Sequence, residues 1–206
     1  MTTTSWHLDD VQVIANENPY TFYKPSVTAV QSLMPGDRAK LVFMLHSDDP
    51  DAPTGERMWV EIVRIEEGIF DGRLVNRPLY IEDLVPGDAV RFEARHIMDV
   101  SVDDPEPSLA KQYAQYCLVS RDAYVEGGNV GFMYREQPVD ENDSGWCFMS
   151  GQESEAYLND PANVLNMPLG VVLAEDDSFV ALLSWPPEVA FERIEDGTFR
   201  EVSMPE

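Results

Sequence analysis

Asp48, Asp49 and Asp51 form the first carboxylate cluster of this sequence, in a stretch that also contains Pro50 and Pro53. Hard cations such as Ca²⁺ prefer several oxygen ligands, but this cluster lacks the central glycine and the distant glutamate of an EF-hand loop. Its turn-forming composition instead predicts an exposed loop between two strands. We therefore predict no metal site in this stretch.

A second carboxylate cluster, Asp140, Glu141 and Asp143, leads into Ser144 and the glycine and tryptophan after it, where an apolar segment begins. Carboxylates in this position can accept backbone N–H groups or bind the Arg and Lys side chains of a partner. Arg135 precedes the cluster, and a bidentate bond to Asp143 would pin the loop between them. The segment is thus a candidate for either loop structure or partner binding.

The histidines and cysteines give no recognisable metal or redox motif. His7, His46 and His96 lie in different predicted elements with no cysteine nearby, so a three-ligand zinc site would require convergence over long sequence separations. Cys117 and Cys147 each lie inside an apolar run, which predicts buried, reduced thiols. We predict neither a metal nor a cofactor.

Common catalytic motifs are missing from the sequence. It contains no phosphate-binding glycine loop with a lysine, no HExxH helix and no GxSxG nucleophile turn. The prediction is therefore a protein without catalytic residues, which is not an enzyme. A hydrolase that uses dispersed carboxylates such as Glu56 and Asp99 stays open as an alternative, and a deep pocket with raised carboxylate pKa values would support it.

Charge limits the classes of partner. The formal net charge is −24, from 38 acidic and 14 basic residues. Such a surface repels phosphate backbones and anionic lipid headgroups, so we predict no nucleic-acid binding and no membrane binding. It attracts a basic protein, because complementary charge speeds encounter and selects partners. Acidity that serves only solubility is the alternative.

The N-terminus carries no basic segment followed by an apolar core, as a secretory signal would, and no stretch approaches the roughly 20 apolar residues of a membrane span. We expect a cytoplasmic protein. The acidic, proline-bearing stretch from Asp99 to Ser108 is typical of a linker or a long loop. It divides the chain into predicted domains over residues 1–104 and 112–206. Residues 112–206 contain 18 acidic and 4 basic residues, against 20 and 10 before them.

The predicted fold class is α+β. Short apolar runs between Gly and Pro turns predict that the first domain is a small, SH3-like antiparallel β-barrel with an N-terminal helix. Ser26 is expected to cap that helix. The predicted strands of the first domain cover residues 39–45, 56–65, 69–75, 79–81 and 89–93. Two Pro-Gly-Asp turns, at 35–37 and 86–88, each precede a strand.

The second domain is predicted to be an antiparallel sheet with short helices. Its predicted strands cover residues 116–120, 130–134, 145–149 and 168–173. A short acidic helix is predicted over 153–158, before Pro161. Residues 179–185 fit either a strand or a short helix. A final hairpin is predicted around Asp196 and Gly197.

Residues 34–100 resemble a known bacterial family. The segments that carry the resemblance are Gly55–Val60, Gly72–Pro78, Gly87–Asp88, Phe92 and His96–Asp99, with Met-Trp-Val, Asn-x-Pro and Ile-x-Asp as their specific elements. They resemble the bacterial domain-of-unknown-function family with number 2314, which has a small barrel. The resemblance implies a barrel fold and no particular activity.

Most of residues 115–195 resemble a second bacterial family. The segments that carry this resemblance are Cys117–Ser120, Val130–Arg135, Asp143–Trp146, Ser150–Gly151, Glu155–Tyr157, Asp160–Asn163 and Ala190–Arg193. They resemble domain-of-unknown-function family 2185, which includes immunity-protein-like members of polymorphic toxin systems. That family has no established catalytic residues. Where it often shows Asp-Pro, this chain has Asp176–Ser178 and departs from the family pattern.

Acidity and this resemblance together imply an immunity protein that occludes the active site of a basic bacterial toxin. Tight docking of this kind needs aromatic anchors inside a charged rim. The predicted partner-binding residues are Arg135, Asp140, Glu141, Asp143, Trp146, Glu153, Glu155 and Tyr157. A non-catalytic regulatory or scaffold protein that binds a peptide or another subunit is the alternative, with acidity incidental. The identity of the partner and the oligomeric state stay open.

Overall fold

The structure is a computed structural model that describes residues 4–46, 53–106, 108–125 and 129–205. The chain divides into two compact units, Met1–Ser108 and Leu109–Glu206, and each unit contains its own sheet. Strand content exceeds helix content, at 35% against 22%, so the predicted mixed α and β composition is confirmed. The carboxylate cluster Asp48, Asp49 and Asp51 lies outside the described residues.

The N-terminal unit is built mainly from antiparallel strands. Its strands are β1 (Trp6–Leu8), β2 (Arg38–Leu45), β3 (Gly55–Glu66), β4 (Ile69–Leu74), β5 (Ala89–Glu93) and β6 (Ile97–Val100). Its helices are α1 (Val11–Glu17) and α2 (Val27–Gln31). The sheet runs β1-β2-β3-β4-β5, and β6 returns to pair with β2. This return makes the sheet nearly closed and barrel-shaped, as the sequence predicted.

Alternation along the strands fills the interior of this barrel. Leu41 and Phe43 on β2 and Val60 on β3 are fully buried, while the residues between them face outward. Phe70 stacks on Phe92 at a ring-centroid separation of 5.1 Å. Because successive strand residues point to opposite faces, one apolar row per strand is enough to form the core.

The two Pro-Gly-Asp turns have the same construction. Asp37 and Asp88 each accept a hydrogen bond from the backbone N–H three residues earlier, at 2.8 Å in both turns. Gly36 and Gly87 have φ values of +101° and +94°, which favour glycine. Each turn therefore sets the start of the strand that follows it, β2 in one case and β5 in the other.

Residues 79–81, predicted as a strand, are not a strand. Their three backbone N–H groups instead donate to the carboxylate of Glu56, at 2.7, 2.7 and 3.0 Å. Asp99, the other carboxylate named for a hydrolase, pairs with Lys40 at 3.3 Å. Both carboxylates thus have structural partners within the barrel.

The predicted linker or long loop from Asp99 to Ser108 begins too early, because its first two residues belong to a strand. Asp99 belongs to β6, and Asp104 accepts hydrogen bonds from the N–H and the hydroxyl of Ser26, at 2.9 and 2.6 Å. Ser26 in turn caps α2 by accepting from the Ala29 N–H, which confirms the predicted cap. An acidic, proline-bearing composition gives no sign of one specific carboxylate contact, so the pattern alone indicated a linker.

The C-terminal unit combines short helices with a second sheet. Its strands are β7 (Tyr116–Ser120), β8 (Phe132–Arg135), β9 (Asp143–Met149), β10 (Val164–Pro168), β11 (Val189–Arg193) and β12 (Phe199–Val202). Its α-helices are α3 (Leu109–Gln112), α4 (Arg121–Tyr124), α5 (Glu155–Leu158) and α6 (Leu169–Glu175). The strand order is β10-β7-β9-β8-β11-β12.

Two predictions for this unit are wrong and one is confirmed. The sheet is not wholly antiparallel, because β7 and β9 pair in parallel. Residues 168–173, predicted as a strand, mostly form helix α6. A short apolar run fits a buried strand and a buried helix equally well, so the pattern could not decide between them. The predicted hairpin is present as β11 and β12, with Gly197 at a φ of +85° in its turn.

Replacing Asp104 tests whether this carboxylate anchors α2. Burial raises the pKa of Asp104, but the hydrogen bonds from Ser26 outweigh this effect and the net pKa is lowered. Its contribution to stability is therefore present at neutral pH and lost as the pH falls through the lowered pKa. We expect Asp104→Ala to reduce the stability of α2 by about 1–2 kcal/mol. Hydrogen exchange of the α2 amides would measure the loss.

The neighbouring Asp103 is exposed and provides the matched control. Asp103→Ala should leave the exchange of α2 unchanged. Equal exchange rates in both variants at neutral pH would contradict the proposed anchor.

Candidate functional site

Neighbouring rows of side chains across the C-terminal sheet lie on opposite faces. One row consists of Leu165, Val119, Phe148, Met133, Phe191 and Glu201. The adjacent row consists of Asn166, Leu118, Cys147, Tyr134, Ala190 and Val202. Because successive residues of a strand alternate in direction, these two rows define the two surfaces of the sheet.

The first row marks the face that forms the core, which we call the covered face. Phe148 is fully buried and packs against Phe179, with their ring centroids 5.1 Å apart. Trp146 lies on the same face with 1% of its surface exposed, and its indole N–H donates to the carbonyl of Leu183 at 3.4 Å. The segment from Phe179 to the end of the 3₁₀ helix Val180–Ser184 therefore closes this side of the sheet.

The second row marks what we call the open face. Leu118 is 42% exposed and Tyr116, at the start of the same strand, is 46% exposed. Cys147 and Ala190, in the central strands, are buried on this side as well. Large apolar side chains thus reach solvent on the β7 part of the open face, one strand in from the edge strand β10, where a monomer has no packing reason to place them.

A groove of about 340 Å³ lies at this part of the open face. Its apolar wall comes from Tyr116, Leu118 and Val139, and its rim carries the carboxylates of Glu136, Asp140 and Asp143, with Cys147 also lining it. We call it the acidic groove. A second groove of about 380 Å³ lies farther along the same face, next to Phe132 and Tyr134.

The loop that borders the acidic groove, residues 136–142, is held by hydrogen bonds at both ends and in its middle. The Asp143 carboxylate accepts from the N–H groups of Val139 and Gly145, at 2.9 and 2.8 Å. The Gln115 side-chain amide donates to the Glu141 carbonyl at 3.0 Å. We call residues 136–142 the acidic loop. Its shape is fixed before any partner arrives, which lowers the entropic cost of binding.

Gly145 is required by the way this loop closes. Its φ is +74°, and a Cβ atom at this position would lie 2.3 Å from the carbonyl oxygen of Glu136. Glu136 donates its N–H back to the Gly145 carbonyl at 2.9 Å. No other residue fits here without displacing the backbone. The glycine in the segment Asp143–Trp146 thus positions the acidic loop.

Glu153 has a structural role rather than a free carboxylate. It accepts hydrogen bonds from the Ser120 hydroxyl and from the N–H groups of Ser150, Gly151 and Gln152. Burial raises its pKa, but these hydrogen bonds outweigh that effect and the net pKa is lowered. The carboxylate therefore joins the end of β7 to the turn after β9.

Arg135 also differs from its prediction. Its guanidinium donates to the carbonyls of Ser144 and Trp185 and lies over the Trp146 ring, 5.7 Å from the centroid, so the predicted bond to Asp143 is wrong. Planar guanidinium groups suit such combined stacking and hydrogen bonding. Arg135 serves the fold of the sheet.

The structure separates the eight predicted contact residues into groups. Asp140, Glu141 and Asp143 come together at the acidic loop, whereas Glu155 is exposed at the opposite end of β9. Tyr157 is half-buried next to it. The remaining residues, Arg135, Trp146 and Glu153, have the structural contacts described above.

Tyr116, Leu118 and Glu136 are site residues that the sequence reasoning missed. The signal was present for Leu118, since a large apolar residue between buried neighbours on a strand must point to the other face. Nothing in the sequence, however, showed that this face would stay uncovered. That property depends on which side of the sheet the segment from Phe179 packs.

Both cysteines border the acidic groove and have unreactive thiols. They are free and buried, as predicted. Burial raises the pKa of Cys117 to about 12 and that of Cys147 to about 11. The thiols are therefore protonated at neutral pH and poor nucleophiles. Burial likewise raises the pKa of Tyr134, so its phenol is neutral. The groove offers shape and charge rather than a nucleophile.

In the described parts of the chain, no group of three or more His, Cys, Asp and Glu side chains is arranged to hold a metal ion. None of the helices there has the length and apolar character needed to span a membrane.

Two family models each match a part of the chain, and one of these parts contains nearly all of the sheet that carries the acidic groove. Residues 117–203 match the family model described as the Immunity protein Imm33 domain. Residues 11–106 match the model described as an uncharacterized protein conserved in bacteria, DUF2314. No curated protein and no solved structure matches the chain. The resemblance to family 2314 and to an immunity-protein family is confirmed, but the number 2185 for the latter is wrong.

Replacing Glu153 tests its structural role. We expect Glu153→Gln to lower the free energy of unfolding of the C-terminal unit by about 1–3 kcal/mol, since three backbone N–H donors and the Ser120 hydroxyl lose a charged acceptor. Because the pKa of Glu153 is lowered, this contribution is present at neutral pH and is lost as the pH falls through that lowered pKa. Urea unfolding at neutral and acidic pH would measure it.

Glu155→Gln provides the control, since Glu155 is exposed at the first turn of α5. It should change stability by less than about 0.5 kcal/mol. A Glu153→Gln protein as stable as the Glu155→Gln protein at neutral pH would show that the Glu153 bonds contribute little.

Proposed function

We propose that this chain is an immunity protein that neutralises a basic bacterial toxin by occluding it, with the acidic groove and the acidic loop as the docking surface. The observation that carries the proposal is that the acidic groove lies almost wholly within the family match. The Imm33 match over residues 117–203 includes the whole acidic loop and every residue that lines the groove except Tyr116. The proposed cellular location is the cytoplasm.

Charge supports a basic partner at this place. The four arginines of residues 112–205 have other partners: Arg121 and Arg135 donate to backbone carbonyls, while Arg193 pairs with Asp176 and Arg200 with Glu192. The carboxylates of the acidic loop are thus left to set the local potential. Such a rim speeds association with a cationic surface and selects against acidic ones.

The apolar wall of the acidic groove adds packing contacts to the attraction between charges. Leu118, Tyr116 and Val139 can pack against the aliphatic stem of a partner's Lys or Arg, whose head then reaches the carboxylates. Interfaces gain most of their energy from a few apolar or aromatic anchors inside such a polar rim. Catalytic residues are not needed, because covering the active site of the toxin is sufficient.

Growth protection tests the proposed function directly. The proposal expects a basic toxin to be encoded beside this gene, and that toxin would be produced in bacteria with and without this chain. We expect growth to be restored by the chain, together with a stable complex on size-exclusion chromatography. Unrestored growth and no complex, with both proteins soluble, would contradict the proposal.

Charge reversal tests the proposed surface. Glu141→Lys should weaken binding of that toxin by about tenfold at low salt, mostly through a slower association rate, and added salt should shrink the difference. Surface plasmon resonance would measure both rates.

Glu201→Lys makes the same charge change on the covered face, where Glu201 is exposed on the edge strand β12. It should leave the affinity within about twofold, since it lies away from the proposed contact. Equal losses for the two variants would assign the effect to net charge rather than to the acidic loop.

A further inference from the structure

Two histidines distant in sequence come together in the N-terminal unit. Nδ1 of His7 lies 3.0 Å from Nε2 of His46, and the two ring centroids are 4.7 Å apart. Both side chains are exposed. The third histidine, His96, is elsewhere in the barrel, where its Nδ1 accepts from the Glu93 N–H at 3.0 Å. The convergence that the sequence could not show therefore exists for two of the three histidines.

The backbone holds this pair in place. β1 pairs with β2 from Trp6 to Leu8, and the His46 N–H continues the ladder by donating to the Ser5 carbonyl at 2.8 Å. Trp6 packs on Phe43 with ring centroids 5.1 Å apart. Ser5 is tied to the Asp83 carboxylate through its N–H and hydroxyl, at 2.9 and 2.6 Å. The two imidazoles thus project from a fixed ladder rather than from loose chain ends.

The separation of the two nitrogens suits a shared metal ion. Two nitrogens that each lie about 2.0–2.1 Å from one ion are about 2.8–3.4 Å apart when their angle is between square and tetrahedral. The distance of 3.0 Å between the His7 and His46 nitrogens falls inside that interval. Imidazole is a preferred ligand of Zn²⁺, Cu²⁺ and Ni²⁺, whereas Ca²⁺ and Mg²⁺ prefer oxygen.

We propose that His7 and His46 form a binding site for a divalent transition-metal ion, with water completing the coordination. Binding requires that both facing nitrogens present lone pairs. The histidine that donates the proton in the present hydrogen bond must carry it on its other ring nitrogen, so both imidazoles stay neutral and no net proton is lost. Metal affinity should follow the usual order for nitrogen sites, with Cu²⁺ bound more tightly than Zn²⁺.

Two features of the chain favour the binding of a divalent transition-metal ion at His7 and His46. A net charge of −24 raises the local concentration of cations near the protein. Both rings are exposed, so water has access to the open coordination positions. An ion bound there would link β1 to the end of β2 and stabilise the edge of the barrel, because it binds the paired strands and not the separated ones.

The experiment is a titration of the full chain with Zn²⁺ and with Cu²⁺, followed by isothermal calorimetry and by NMR of the imidazole protons. We expect one ion per chain. The signals of His7 and His46 should shift together with Zn²⁺ and broaden together at substoichiometric Cu²⁺, before the His96 signals change. His7→Gln and His46→Gln should each weaken binding by at least about tenfold, since the second ligand acts intramolecularly.

His96→Gln is the matched control, and it should bind with the affinity of the unchanged chain. Circular dichroism would establish that all three variants are folded. The proposal is overturned if the unchanged chain shows no saturable binding up to about 1 mM Zn²⁺ and Cu²⁺. It is equally overturned if His7→Gln and His46→Gln bind as tightly as the unchanged chain, since carboxylates elsewhere would then hold the ion.

Discussion

The C-terminal sheet has its three buried aromatic side chains on one face, and its exposed grooves follow from this one-sided packing. Trp146, Phe148 and Phe191 all point to the side that Phe179 closes. A sheet in water needs only one covered face to form a core, and the other face may then carry any side chains that keep it soluble. Here that other face carries Leu118 and Tyr116 beside a rim of carboxylates, a combination suited to capturing a cationic surface.

The residues that mark the immunity-protein resemblance mostly build the fold. Gly145 permits the close approach to the Glu136 carbonyl, Trp146 fills the covered face, and Ser150 and Gly151 donate to Glu153. Such positions define a scaffold. The surface that scaffold presents, in contrast, is set by residues between them, which are free to match one particular partner.

Sequence reasoning succeeded where a local rule decides the structure. Ser26 at the start of α2, the two Pro-Gly-Asp turns and the hairpin at Gly197 each follow from turn or cap chemistry within a few residues. It failed where a distant group decides, as when the carboxylate of Glu56 holds residues 79–81 away from strand pairing.

The residues of the candidate site fall into the same two groups, those that a local pattern predicts and those that distant contacts place. The acidity of residues 140–143 can be read directly from the sequence, and so can the exposure that charge implies. Burial of Trp146 and the role of Arg135 depend on the face that each strand turns toward the core, and on which pair of strands is parallel. Neither the inward face of each strand nor the identity of the parallel pair can be derived from composition. The meeting of His7 and His46 likewise depends on the register between β1 and β2.

The central claim is that the open face of the C-terminal sheet is the surface that holds the partner. Hydrogen exchange of this chain, alone and bound to its proposed basic toxin, tests it most directly. The account predicts slower exchange on binding at residues 116–118 and 136–143, with no change at 179–184. Protection centred on 179–184, or confined to the N-terminal unit, would contradict it.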